Sequence, residues 1–282
     1  MHSLALLPQP LLAFALSVTR LCLWLVLLSA IFVPLERLFA LRPRKVFRKA
    51  FAADVGYYFL NSLLPGLALS LPLGFLAASM HGLLPGGYRA GVAELPLWAR
   101  FAAALLVGEI GFYWGHRWSH EIPLLWRFHA VHHDAGHLDF LVNTRAHPVD
   151  MVFTRLCGLA PLFALGLASP VGREGGLVPV LVVLVGTVWG FLIHANLRWR
   201  LGPIEHLIAT PAFHHWHHTL TAPIDRNYAA LLPWLDRLFG TFHLPARAWP
   251  AEYGIAAPNE SPLPLREGVG GRGTHEATRL PA

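Results

Sequence analysis

Charge is what this chain has least of. Of its 282 residues only 13% are Asp, Glu, Lys or Arg, against about 25% in ordinary soluble domains. Together with 55% hydrophobic residues and a mean hydropathy of +0.47, this scarcity argues against a soluble class and predicts a polytopic membrane protein. Cysteine is nearly absent. Cys22 and Cys157 both fall in apolar stretches, which argues against a disulfide framework and leaves no cysteine zinc site or iron–sulfur pattern. There is no CxxCH haem attachment and no GxGxxG nucleotide fingerprint. An HExxH metalloprotease motif starts at His120 and Glu121 but fails, because position 124 is Leu. The net charge of +6 could serve a nucleic acid. The basic residues sit mainly beside apolar runs, however, so membrane topology is expected to use them, with no nucleic-acid partner.

Five apolar runs cover about residues 11–33, 55–78, 97–115, 151–168 and 177–193. The first is long enough to span a bilayer and too long for a cleavable signal core. Arg20 inside it either lies at the interface or faces protein. Arg37, Arg42, Arg44, Lys45, Arg48 and Lys49 follow, and such a cluster marks the cytoplasmic side. Pro65 and Pro72 in the second run allow a kink or a re-entrant pair. Arg155, near one end of the fourth run, can snorkel. Residues 169–176 read as a turn. With the basic stretch in the cytoplasm, runs two and three go out and back, and runs four and five repeat the hairpin. Residues 116–150 and those from 194 onward then share the cytoplasmic side. Residues 197–244, rich in Trp, Arg and His, read as surface helices closing over that face, and the Gly- and Pro-rich tail is expected to be disordered. The expected organisation is an N-terminal span with its basic stretch (1–53), a membrane-embedded catalytic domain (54–250) and a tail (251–282). The fold class is all-α, with about four to five transmembrane helices and a helical cytoplasmic cap.

Thirteen of the seventeen histidines lie between His116 and His218. They form an HxxxH group (His116, His120) and two HxxHH groups (His129, His132, His133; His214, His217, His218). Residues three and four apart share a helix face, so each group can aim its imidazoles together. Eight imidazoles exceed what one ion can use and suit two ions in a nitrogen-rich site. Glu109, Glu121, Asp134 and Asp150 are candidate partners for the free ring nitrogens of the ligands. His147 is expected beside the site or capping a helix, and His215, off the shared face, in a supporting hydrogen bond. His137, His206 and His243 read as surface or supporting residues, and His81 as remote.

At these boxes the chain resembles the membrane-bound fatty acid hydroxylase and sterol desaturase superfamily. The resemblance covers roughly residues 100–245. It rests on the three boxes in order, on Trp114 to Glu121, Leu125 to Asp134 and Asn143 to Pro148, and on the weaker fragments His194 to Asn196 and Asn227-Tyr228. It implies His194 as a ninth ligand, two iron ions, O2 as co-substrate, and hydroxylation or desaturation of a C–H bond in a lipid such as an acyl chain or sterol-like molecule. Electrons would come from a separate reductase, ferredoxin or cytochrome. A bacterial inner membrane, with the metal site facing the cytoplasm, is the expected location. Alternatives are a zinc-dependent membrane hydrolase, a haem-carrying electron-transfer protein, and a non-catalytic lipid- or metal-binding member of the same fold.

Overall fold

The computed structural model describes residues 8–168, 176–246 and 248–256. The turn expected at 169–176 and the tail beyond 256 thus lie almost wholly outside the described residues. Nine α-helices are described: α1 (Gln9–Leu38), α2 (Phe51–Leu83), α3 (Gly86–Glu94), α4 (Leu97–Glu121), α5 (Pro123–His133), α6 (Pro148–Ala164), α7 (Leu177–His194), α8 (Pro211–His217) and α9 (Trp234–Leu238). Proline starts many of them: α5, α6 and α8 carry it in their first turn, where a missing N–H costs nothing.

The protein is an integral membrane protein. Three helices, α1, α2 and α7, are long and apolar enough to cross a bilayer, or four spans if α3 and α4, bent by 111°, count as one. The fourth apolar run forms α6, which at 17 residues is shorter than the ~20 residues a bilayer requires. α2 runs through Pro65 and Pro72 as one 33-residue helix rather than a re-entrant pair, a tolerance that membrane helices show when local adjustments re-satisfy the freed carbonyls. Its outer face carries Leu67, Leu71 and Phe75, all more than 70% exposed, as a lipid-facing surface requires. Arg20 is exposed on α1.

The bundle is drawn together where small residues let backbones meet. α4 packs on α6 with Gly111 against the Cys157 carbonyl; a Cβ on Gly115 would lie 2.7 Å from Cys157 Cβ. This close crossing, of the kind small residues give membrane helices, sets the end of α4 beside the start of α6, where Ser119 Oγ donates to Asp150 Oδ1 at 3.1 Å.

The basic stretch is built into the fold. Arg48 and Arg145 both pair with the fully buried Asp54, and Arg48 also pairs with Asp139. Arg42 donates to the Pro250 carbonyl, and the Asn196 side chain bridges the Arg42 backbone. The segment from 195 to 256 is mostly irregular, with only short helical turns at Gly202–His206, α8 and α9. The expectation of a helical cap therefore holds only for these pieces. The expected tail boundary at 251 is also too early: Tyr253 is buried and pairs with Thr219 in an isolated β-bridge, and Leu220 N donates to Glu252 O.

Candidate metal centre

Nine histidines converge where α4, α5, α7 and α8 end. They divide into two groups, His116, His120, His129, His133 and His217 in one, and His132, His194, His214 and His218 in the other; within each, one ring nitrogen per residue lies within 4.8 Å of all the others. The helical repeat explains the division. On α5, His129 and His133 are four apart and face the first group, while His132, rotated about 100° from its neighbour, faces the second. On α8 the assignment is reversed: His214 and His218 join the second group and His217 the first. Each HxxHH box therefore serves both groups instead of aiming three imidazoles one way. The groups adjoin, with the His133 and His218 rings stacked at 4.4 Å between centroids.

The ring nitrogen facing away is tied down in six of the nine. His116 Nδ1 meets Tyr228 O at 2.7 Å, His132 Nδ1 meets Arg145 O at 2.9 Å, His194 Nδ1 meets Gly190 O at 2.7 Å and His217 Nδ1 meets Arg226 O at 2.8 Å. His129 Nδ1 and His120 Nδ1 each lie 3.0 Å from a carboxylate oxygen, of Asp150 and Asp225. A carbonyl oxygen only accepts, so Nδ1 carries the proton and Nε2 is left with a bare lone pair. Burial, reinforced by neighbouring imidazoles, pushes His132 down to about 4 and holds His133, His214, His217 and His218 well below the ordinary histidine value. At neutral pH these rings are uncharged.

Ring nitrogens then crowd together, and one pair is bare on both sides. His132 Nε2 and His194 Nε2, both committed to the acceptor form by their carbonyls, are 3.1 Å apart. His194 to His214 measures 2.9 Å, His214 to His218 3.1 Å, and His133 to His217 3.1 Å. The Nε2 atoms of His120 and His129 are buried with no hydrogen-bond partner. The His132 and His194 lone pairs repel at this distance unless a cation lies between them. Ligand nitrogens about 2.0–2.1 Å from one ion sit about 2.9 Å apart at right angles, which is the spacing found. The residues present therefore fit metal ions, and the all-nitrogen donor set suits iron, zinc, copper or nickel.

Of the proposed supporting acids, Asp150 alone meets an imidazole. Glu109 is buried on α4 and accepts from Leu231 N at 2.9 Å, bracing the loop and not a ligand. Glu121 pairs with Arg117 at 2.9 Å. Asp134 is exposed at the end of α5. His147 caps α6, accepting from Val149 N at 3.2 Å. His215 bridges Tyr253 Oη at 2.8 Å and Ala195 O at 3.1 Å, pinning the stretch after α7 to the end of the cap. Sequence reasoning missed Asp225 and the loop around it. Asp225 and Asn227 adopt φ of 58° and 60°, a left-handed conformation that Asn and Asp tolerate best among residues with a Cβ. Their backbone aims the Arg226 and Tyr228 carbonyls at His217 and His116. Buried Asp236 accepts from Tyr228 N and Ala229 N and holds the loop in place. The hint in the sequence is Asp-Arg-Asn-Tyr beyond the third box, of which the family resemblance takes in Asn227 and Tyr228.

Above the imidazoles lies a cavity of about 510 Å³. His116, His129, His132, His194 and His214 line one part of it, and Leu21, Trp24 and Leu28 of α1 and Val180, Val183 and Leu184 of α7 line another. It thus joins the candidate metal centre to the membrane-spanning helices.

The family model for fatty acid hydroxylase matches residues 101–241, a stretch that holds all nine converging histidines. The chain is 38% identical to the ornithine lipid hydroxylase OlsE of Rhizobium tropici over 57% of this chain and 47% of that protein. It is 35% identical to alkylglycerol monooxygenase of Danio rerio over 53% of this chain and 32% of that protein, and 30% identical to methylsterol monooxygenase 2-2 of Arabidopsis thaliana over 65% of each. The chain spans less than half the length of the first two of these relatives. No solved structure matches it. The match over half of the chain, centred on the clustered imidazoles, places it: the chain belongs to the fatty acid hydroxylase family.

Proposed function

We propose that this protein is an O2-dependent membrane oxidoreductase that hydroxylates, or desaturates, a C–H bond of a lipid at a di-iron centre. The observation that carries this reading is the set of buried Nε2 atoms 2.9–3.1 Å apart, with His132 and His194 both held in the acceptor form, beside an apolar cavity walled by membrane helices. His116, His120, His129, His133 and His217 would hold one iron, and His132, His194, His214 and His218 the other. Two bound irons supply redox chemistry able to activate O2 and oxidise an unactivated C–H bond. The chain's own residues do the rest. Asp150, Asp225 and four carbonyls fix ring tautomers and orientations. The cavity walls of α1, α6 and α7 orient an alkyl chain, and the cap over the imidazoles keeps water away. The relatives' names, a lipid hydroxylase and two monooxygenases, support the reaction class. Electrons come from a separate reductase, ferredoxin or cytochrome. The basic stretch meets the histidine cap directly, through Arg42 at Asn196 and Arg48 at Asp139, which supports a metal site on the cytoplasmic side, in a bacterial inner membrane.

The test is elemental analysis and Mössbauer spectroscopy of detergent-purified protein expressed with iron available, followed by lipid turnover with O2 and a reductase. About two coupled irons per chain and an oxidised lipid product are expected. Zinc alone, with hydrolysis and no oxidation, or no retained metal at all, would overturn the reading in favour of a hydrolase or a binding protein.

A further inference from the structure

The apolar cavity holds one charge with nothing to balance it. Arg155, on α6, lines the cavity. It is half-buried, and among the described residues it makes no hydrogen bond or ion pair. The two acids that line the same cavity are already engaged: Asp150 accepts from His129 and Ser119, and Glu109 from Leu231 N. A guanidinium half-buried in an apolar wall without a partner is costly. Snorkelling would relieve that cost, yet the side chain stands in the cavity wall. A second group points the same way. Asn61 of α2, 3% exposed, also lines the cavity. Its Nδ2 donates to Thr144 O at 3.0 Å and Ala146 O at 2.8 Å, while its Oδ1 is buried without a partner.

We propose that Arg155 anchors an oxyanion headgroup, a carboxylate or a phosphate, on an amphiphile whose alkyl chain fills the apolar remainder of the cavity. Guanidinium is suited to this task, because its planar fork meets either oxyanion with two parallel hydrogen bonds. Asn61 Oδ1 is placed to accept from an N–H or O–H of the same ligand. The anchor also lies on the side of the metal centre. Arg155 and five of the imidazoles line the same cavity, with Arg155 five residues beyond Asp150, about 7.5 Å along the helix axis. This substrate class rests on the lipid-oxidation reading, to which it adds the requirement for a charged headgroup.

The test measures binding, independently of turnover. Full-length protein in neutral maltoside micelles is titrated with labelled dodecanoate, dodecyl phosphate and dodecanol. At least one of the two anions is expected to bind about tenfold or more tightly than the alcohol, equivalent to about 1.4 kcal/mol. Which anion wins separates a carboxylate lipid from a phospholipid. Arg155→Gln and Arg155→Met should abolish the preference and leave dodecanol affinity unchanged, and Arg155→Lys should restore part of it. Removing an unpaired buried charge should not lower the melting temperature, which checks that the variants fold. Equal binding of anions and alcohol by the native protein, or a preference that survives Arg155→Gln, would overturn the proposal. If the preference is present but the protein holds zinc and yields no oxidised product, the oxidation reading falls and the anchor stands. If iron and product are present with no preference, the anchor alone falls.

Discussion

Asp150→Asn keeps the size of a side chain that holds two groups at once and removes its charge. In the native protein Oδ2 takes the His129 Nδ1 proton at 3.0 Å and Oδ1 takes the Ser119 hydroxyl at 3.1 Å, with the His129 and Asp150 side chains 4% and 5% exposed. A carboxylate accepts at both oxygens, whereas an amide accepts at one and donates at the other. With its oxygen toward His129, the variant meets Ser119 only by reversing that bond, its amide N–H donating to the hydroxyl oxygen. If its oxygen turns to His129, the ring keeps its tautomer but loses the charge that makes Nε2 a stronger donor to metal. If its nitrogen turns there, the ring is driven into the other tautomer, with the proton on the nitrogen meant for the ion. Loss of such a supporting partner costs 10–100-fold in metal affinity, about 1.4–2.7 kcal/mol. Asp150→Ala adds the cost of orphaning a buried N–H, about 1–3 kcal/mol of stability. The assay is anaerobic Fe(II) titration of chelated protein against a competing chelator, with melting temperature recorded in parallel. Asp134→Asn, at an exposed position, should change neither. Unaltered iron affinity in Asp150→Asn would refute the reasoning, because the carboxylate would then be a packing group.

Because the boxes are shared between two groups, His217→Ala and His132→Ala should each lower iron from about two to about one per chain and abolish turnover, whereas His81→Ala, which loses only a contact with Arg89, should do neither; elemental analysis of all three decides it. Gly111→Val forces a side chain against the Cys157 carbonyl and should lower stability by about 1–3 kcal/mol, read as an earlier thermal unfolding in detergent. The chelated protein should lose stability as the pH falls. The unfolded chain takes up histidine protons below about 6.5, while burial delays His132 to about 4, so at pH 5 this residue alone costs about 2 kcal/mol. Melting of chelated protein between pH 7 and 5 should show the decline. A flat profile would mean that the ring is wetter than its burial indicates.

Much of the site was legible because its chemistry repeats locally. HxxxH and HxxHH spacing within short helices is enough to identify eight of the nine converging imidazoles, and hydropathy is enough to place them beside a membrane. What could not be read was whatever depends on tertiary approach. The 100° step within a helix separates the imidazoles of each HxxHH box, but which group each ring joins depends on how α4, α5, α7 and α8 come together, which no single helix encodes. The carbonyls that fix ring tautomers belong to Arg145, Gly190, Arg226 and Tyr228, and a carbonyl has no sequence signature. Proximity in sequence misled for Glu121 and Asp134, each adjacent to a box histidine, because neighbours on a helix point about 100° apart. Membrane burial misled for Glu109, whose partner is a backbone N–H more than a hundred residues away. Arg155 looked like a snorkelling residue because only the assembled bundle shows that it faces the cavity.

The same tertiary dependence makes metal binding and folding one process. Five of the imidazoles are oriented by groups from another part of the chain, among them His116 on α4 by the 225–231 loop, His129 on α5 by α6, and His132 by the Arg145 carbonyl, whose residue is held by Asp54 of α2. The facing His132 and His194 nitrogens repel until a cation joins them, so the cap is strained without metal and strapped with it. α1 and α2 do not share this dependence, because apolar packing around Leu28, Phe32 and Tyr58 holds them. Chelation should therefore act unevenly. Hydrogen–deuterium exchange should accelerate in residues 209–231 and around α5 while the membrane-facing parts of α1 and α2 keep their protection, and adding iron back should reverse the change. Uniform acceleration along the chain would show that the metals hold up the whole bundle, and no acceleration would show a site preformed to tolerate its own lone-pair repulsion. The split response is the one the anchoring pattern requires, since the fixed points of His116, His120 and His217 lie in the cap, that of His129 in the first turn of α6, and that of His132 just before it.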